Sequence, residues 1–178
     1  YTDAASSDPS AAYEYSTGAF TAIISASNPD NNQLPGLVDR ESVLGLGLKY
    51  AAGNYTVALG YESSPDGDGL DQSLDHIILG VSANFGAVSL KANYGHVEDA
   101  AGNTGDQYHV SATYTADALS VTAFWTDEDD FVASTLGNSG YGLGASYDLG
   151  GGAKVVGGYA KNETTDEDAF DLGLSFSF

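Results

Sequence analysis

The 178-residue sequence has no cysteine and no methionine, which excludes disulfide frameworks, thiol nucleophiles and thiolate metal sites together. Positive charge is scarce: 5 Lys plus Arg stand against 25 Asp plus Glu, a formal net charge of −20. Such a balance repels nucleic acid and anionic surfaces and suits plain solvation or divalent cations. No apolar run approaches the roughly 18 residues that a membrane-spanning helix needs. An initiator Met, a basic segment and an apolar segment are all absent ahead of Tyr1, so the expectation is that a signal peptide, and a larger N-terminal part with it, has been removed.

What is present is glycine (23) and tyrosine (12), arranged with period two. In the last segment Phe170, Leu172, Leu174, Phe176 and Phe178 share one face, and Asp171, Gly173, Ser175 and Ser177 the other. The same split separates Tyr55, Val57, Leu59 and Tyr61 from Thr56, Ala58, Gly60 and Glu62, and Leu44, Leu46, Leu48 and Tyr50 from Gly45, Gly47 and Lys49. It recurs with Tyr108, Val110, Ala112 and Tyr114 against His109, Ser111, Thr113 and Thr115. Further segments fit at Ile77 to Phe85, Val88 to Tyr94, Leu119 to Trp125, Tyr141 to Leu149 and Val155 to Tyr159, and more weakly at Tyr13 to Tyr15 and Phe20 to Ala26. Alternation of this kind marks half-buried strands, eleven in all.

The connections alternate as well. Short links at Thr17 to Ala19, Ala52 to Asn54, Phe85 to Ala87, Thr115 to Ala118 and Gly150 to Ala153 take turns with long ones such as Asn28 to Glu41, Ser63 to Asp75 and Asp127 to Ser139. Most acids lie in the long connections, so one rim is tight and the other loopy and acidic. Aromatic residues gather near both rims: Tyr15, Phe20, Tyr50, Tyr55, Phe85, Tyr114, Tyr147 and Phe178 by the short turns, Tyr61, Tyr94, Tyr108, Trp125, Tyr141, Tyr159 and Phe170 by the long loops. A ten-residue strand tilted near 40° rises about 25 Å, the height of the apolar band of a membrane barrel, and rings at both its edges make interfacial girdles. The fold class expected is therefore all-β, a transmembrane antiparallel up-and-down β-barrel.

A soluble sandwich also alternates, but its outer face carries long Lys and Glu side chains, whereas the polar face here is Gly, Ser, Thr, Asn and single charges. A calcium-binding β-solenoid needs a repeat, and Asp66-Gly67-Asp68-Gly69-Leu70-Asp71 occurs once.

The segments YGLGASYDLGGGA at 141–153, DLGLSFSF at 171–178 and GNYTVALGY at 53–61 resemble alphaproteobacterial general porins. The resemblance covers nearly the whole chain. It implies homotrimers of 16-stranded barrels, a third loop folded inward, and passive diffusion of ions and small hydrophilic solutes through the bacterial outer membrane, among lipid and lipopolysaccharide, without catalysis. Leu174, Phe176 and Phe178 match the terminal pattern read during outer-membrane assembly. Bacterial single-chain barrels have even strand numbers, so eleven strands correspond to strands six to sixteen. Residues 1–10 would then end the constriction loop, residues 11–178 would form barrel strands, and the missing N-terminal strands would pair with Phe170 to Phe178. Asp3 and Asp8 carry over as constriction-loop acids by position alone. The alternatives are a smaller closed barrel acting as receptor or enzyme, in which Phe170 to Phe178 would pair with the strand around Tyr13 or Phe20, and a soluble acidic calcium-binding protein.

Charges on a lipid face are costly, so Glu14, Lys49, Glu62, Lys91, Lys154 and Asp171, all on the polar face, are assigned to the pore. Leu44, Leu59, Val81, Leu90, Val121, Leu143 and Leu172 are assigned to lipid; Gly45, Gly60, Thr122 and Ser175 join the pore. His76, His96 and His109 come near the loop ends of three consecutive strands without a spaced ligand set, and are read as polar rim residues. No cofactor is expected, with calcium at Asp66, Asp68 and Asp71, or at Asp127 to Asp130, as the alternative to solvated acidic loops. The acidic excess predicts a lean toward cations.

Overall fold

The computed structural model describes residues 10–27, 43–64, 73–129 and 137–177. These form eleven strands: β1 (Ser10–Thr17), β2 (Phe20–Ser27), β3 (Val43–Ala52), β4 (Tyr55–Ser64), β5 (Leu74–Phe85), β6 (Val88–Asp99), β7 (Thr104–Ala116), β8 (Leu119–Glu128), β9 (Gly140–Gly150), β10 (Ala153–Asn162) and β11 (Glu167–Phe176). All belong to one sheet in chain order, each antiparallel to the next. Strands run past the periodic segments because ladder pairing continues to the turns: β1 extends to Thr17, paired with Phe20, where sequence pattern alone supported Tyr13 to Tyr15. β1 also begins at Ser10, one residue ahead of the expected boundary.

On the tight rim every link is a two-residue turn, at 18–19, 53–54, 86–87, 117–118 and 151–152. Its first residue takes a left-handed backbone, with φ of 57° at Gly18, 57° at Gly53, 60° at Gly86 and 62° at Gly151. Asp117, at φ 49°, is the one non-glycine there, a residue type that tolerates this region. The other rim is less uniform than the expected row of long loops. Two of its connections are four-residue turns, 100–103 and 163–166. In the first, the Asp99 carboxylate accepts from the Asn103 backbone N–H (2.8 Å) and side-chain amide (2.7 Å). In the second, Asn162 Oδ1 accepts from the N–H groups of Thr164 and Thr165, each at 2.9 Å.

Among the described residues no apolar side chain is buried, so the sheet has no hydrophobic core. Register places Leu48, Leu59 and Leu79 side by side, and Tyr50, Val57 and Val81, building one continuous apolar face across the strands. Leu44, Leu59, Val81, Leu90, Leu143 and Leu172 all lie exposed on it. The polar face is the more covered one: in β4, Thr56, Ala58 and Gly60 are half-buried while Tyr55, Val57 and Leu59 are exposed. Ile23 of β2 and Gln107 of β7 border a single hollow on that polar side. Five inter-strand steps would separate them by roughly 24 Å in a flat sheet, so the sheet curls toward its polar face. A soluble fold would reverse this arrangement, since water rather than a packed core would then meet the leucines.

β11 pairs with β10 from Ala153–Phe176 to Asn162–Glu167. It is not a neighbour of β1 or β2, so the pairing required by a self-contained small barrel is not made. β1 and β11 are the two outer strands, and Phe170 (88% exposed) and Leu172 (82%) are the most open large apolar side chains of the sheet.

Candidate functional site

The polar, concave face is the candidate site, and it is organised in three levels along the strands. Nearest the two-residue turns it is a belt of hydroxyls and small charges. Ser16 and Thr21 hydroxyls meet at 3.0 Å, Thr113 and Thr122 at 2.8 Å, and Thr115 and Ser120 at 3.2 Å, each pair in register on adjacent strands. Ser16 also donates to Glu14 Oε1 at 3.3 Å. Lys154 Nζ stands 3.9 Å from Asp148 Oδ2, and Asp171 of β11 lies beside Gly158. The Lys154–Asp148 pair is solvent-exposed and contributes little to stability.

From that belt up to mid-height the wall is thin in side chains. Lys49, Thr21 and Asn93 border a hollow floored by Gly47, Ala58, Gly60 and Gly80, with Ile23 and Ile78 at its sides. Lys91 sits between Ser82 and Ser111 in register. Toward the loop rim, Glu62 is opposite His76, and Gln107 is opposite Glu128. His76 Nε2 is buried without a protein hydrogen-bond partner. Both His76 Nε2 and the Gln107 side-chain oxygen lie across Gly95, each 3.0 Å from where a Cβ on that residue would stand, so any larger residue would push them off the wall there. Charge is therefore graded: Glu62 and Glu128 near the loop rim, Lys49 and Lys91 below them.

Glu14, Lys49, Glu62, Lys91, Lys154 and Asp171 thus share one face of the sheet. Asp3, Asp8, Asp66, Asp68, Asp71 and Phe178 lie outside the described residues, whereas Leu174 and Phe176 occupy the apolar face of β11. The three histidines are not brought together. His76 and His109 are on the polar face, but His96 is on the apolar side, where Nδ1 meets Asp106 Oδ1 at 2.7 Å. Among the described residues no group of three or more His, Asp or Glu is placed to hold a metal ion.

Two features escaped sequence reasoning. One is a set of Tyr–Asp contacts at the loop edge of the apolar face: Tyr61 donates to Asp75 (2.7 Å), Tyr94 to Asp106 (2.8 Å) and Tyr159 to Asp168 (2.5 Å). In each, the acid pairs in register with the residue two positions loopward of the tyrosine, namely Ser63, His96 and Lys161. The hydroxyls therefore all point away from the band of leucines, as amphipathic rings at a membrane boundary do. The signal that would have found them is an acid at that offset, which needs the register first. The other feature is Phe124, which lies on the polar face with its ring against His109. Beyond the girdle, in the exposed turn, the Lys161 ammonium at 2.6 Å holds the Asp166 carboxyl below the usual carboxylate range.

Three comparisons bear on this geometry. Residues 1–167 match the family model described as Gram-negative porin. The porin of Rhodobacter capsulatus is 37% identical over 194 aligned residues, covering 98% of this chain and 63% of that protein, so the chain spans less than two thirds of its relative's length. A porin structure refined at 1.8 Å resolution superimposes with a TM-score of 0.84 at 32% identity, over 99% of this chain and 64% of the other. A triple mutant of the Rhodopseudomonas blastica porin gives a TM-score of 0.68 at 23% identity, over 95% of this chain and 55% of the other, which speaks for the fold alone.

Proposed function

Because the chain belongs to the Gram-negative porin family, a family of the bacterial outer membrane, we propose that its protein is a general diffusion porin passing ions and small hydrophilic solutes passively. The observation that carries this reading is the inverted sheet: leucines and aromatic girdles outside, glycine, hydroxyls and all six assigned charges on the concave side, and no apolar core among the described residues. Only a surrounding hydrocarbon phase makes that arrangement favourable, at about 25 cal/mol per Å² of apolar surface removed from water. Under this proposal the concave face lines the pore, the acidic loop rim faces outward among lipopolysaccharide, and the working unit is a homotrimer. Asp3 and Asp8 belong to the constriction, and Leu174, Phe176 and Phe178 to the assembly signal. Backbone groups on the outer edge of β11 cost several kcal/mol each if left unpaired in hydrocarbon, so the proposal includes a partner strand for β11 from the rest of the protein. No cofactor is needed, and Asp66, Asp68 and Asp71 are assigned to solvent rather than calcium.

The test is reconstitution of the full-length protein into planar bilayers and into liposomes. Stepwise, voltage-independent conductance increments and liposome swelling in small sugars are expected. Intact folded insertion without either would overturn the reading.

A further inference from the structure

Among the described residues, Phe124 is the one phenyl or phenol ring on the concave face; the others lie on the apolar face. It is held flat. A Cβ on Gly142, its partner in β9, would stand 2.5 Å from Phe124 Cε1, 2.7 Å from Cζ and 2.8 Å from the Tyr159 carbonyl oxygen, so the ring and the β10 backbone together occupy the space that a side chain would fill. On its other flank the His109 ring stacks at 6.3 Å between centroids and 24° between planes. The surroundings divide by chemistry. Toward β9 no side chain stands on that face: Gly140, Gly142 and Gly144 follow in succession, the first two buried and Gly144 half-buried. Toward β7 and β6 it presents Ser111 opposite Phe124, Thr126 opposite His109, and Asn93 next in the same row.

We infer that Phe124, backed by His109, is a stacking platform in the pore wall for a polyhydroxylated ring solute, a small saccharide; this rests on the porin reading. A pyranose ring has an apolar C–H face and an edge of hydroxyls. The face covers the phenyl surface, which otherwise stays in contact with water, while the hydroxyls reach Ser111, Thr126 and Asn93. Gly144, where a Cβ would meet nothing nearer than the Gly157 carbonyl oxygen at 4.0 Å, leaves room for the sugar beside the phenyl ring. An inorganic ion has no apolar C–H face to lay on the phenyl surface, and charge is met instead by Lys49 or Glu62. Fixing the ring by Gly142 and His109 lowers the ordering cost of each contact, as pre-organisation does.

The experiment uses the full-length protein in planar bilayers with cellobiose as probe and mannitol, which is hydroxylated but open-chain, as control. Cellobiose should reduce the ion current saturably, mannitol only in proportion to viscosity. Phe124→Leu, which keeps apolar bulk and loses the ring, should raise the half-saturating concentration by about fivefold, while Phe124→Trp should keep or lower it. His109→Ala, which removes the backing ring, should weaken binding through a second residue even if Phe124→Leu fails to insert. A conducting channel with no saturable cellobiose effect, or one unchanged in Phe124→Leu, overturns the platform and leaves the porin standing. A protein that inserts and never conducts overturns the porin reading, and the platform with it.

Discussion

Replacing Leu59 by lysine puts an ammonium on the apolar face near its mid-height. Leu59 lies in register between Leu48 and Leu79, 45% exposed, four residues from Tyr55 and two from Tyr61. With about 2.5 Å of rise per tilted residue, the site is some 10 Å from one girdle and 5 Å from the other. A lysine at the midplane of such a face costs about 2 to 4 kcal/mol, and snorkelling toward Tyr61 brings this site to the lower end. About 2 kcal/mol is a factor near 30 in the folding equilibrium. Gly60→Lys, one residue along, is the matched control. A Cβ there meets Ile78 at 4.0 Å, ordinary contact, and the chain extends into the hollow beside Glu62. In full-length protein folded into liposomes, urea titration followed by heat-modifiable gel mobility should show a lower midpoint for Leu59→Lys and a near-native one for Gly60→Lys. Bilayer conductance should change for Gly60→Lys instead. A Leu59→Lys protein as stable as the native one, with Gly60→Lys failing to fold, would refute the assignment of faces.

Selectivity should lean toward cations because acids crowd the loop rim, and the bias should fade as salt shortens the Debye length below about 8 Å; reversal potentials across a salt gradient read this directly, and an anion preference would contradict it. At Asp117, φ 49°, Asp117→Gly should be neutral or stabilising and Asp117→Val should cost about 1 to 2 kcal/mol, measured by the same urea titration; equal midpoints would show that the turn tolerates any residue. Asp166 should titrate below the usual carboxylate range because of Lys161, so what this pair adds to stability is present above the unfolded-state carboxylate pKa and is lost as pH falls through the lowered value. In Lys161→Met, NMR titration of Asp166 should return to the usual range, and an unmoved curve would remove the cause assigned here.

The assignment of faces was legible from alternation because a period of two leaves a strand residue only two directions, and Leu44 to Tyr50 or Phe170 to Phe176 declare theirs with every second side chain. The tight turns were legible from Gly18, Gly53, Gly86 and Gly151, whose left-handed backbone few other residues adopt. Phe124 was hidden for the opposite reason. In Leu119 to Trp125 both parities carry apolar residues, and alternation does not say which face an isolated ring takes. His96 was misleading in a similar way: grouped with His76 and His109 by position, it falls on the opposite face from both, paired with Asp106.

By itself the sequence determined that this is a sheet of tilted strands with one face for hydrocarbon and one for water, a tight rim and an acidic one, since periodicity, turn glycines and charge are local properties. Tertiary structure alone decided which side chains meet across strands. Register brings Tyr61 to Asp75, Tyr159 to Asp168 and Lys161 to Asp166, and lays Phe124 over Gly142 beside His109. Those pairings depend on how far each strand slides along its neighbour, a quantity set by turn length and ladder pairing that no single strand's composition contains.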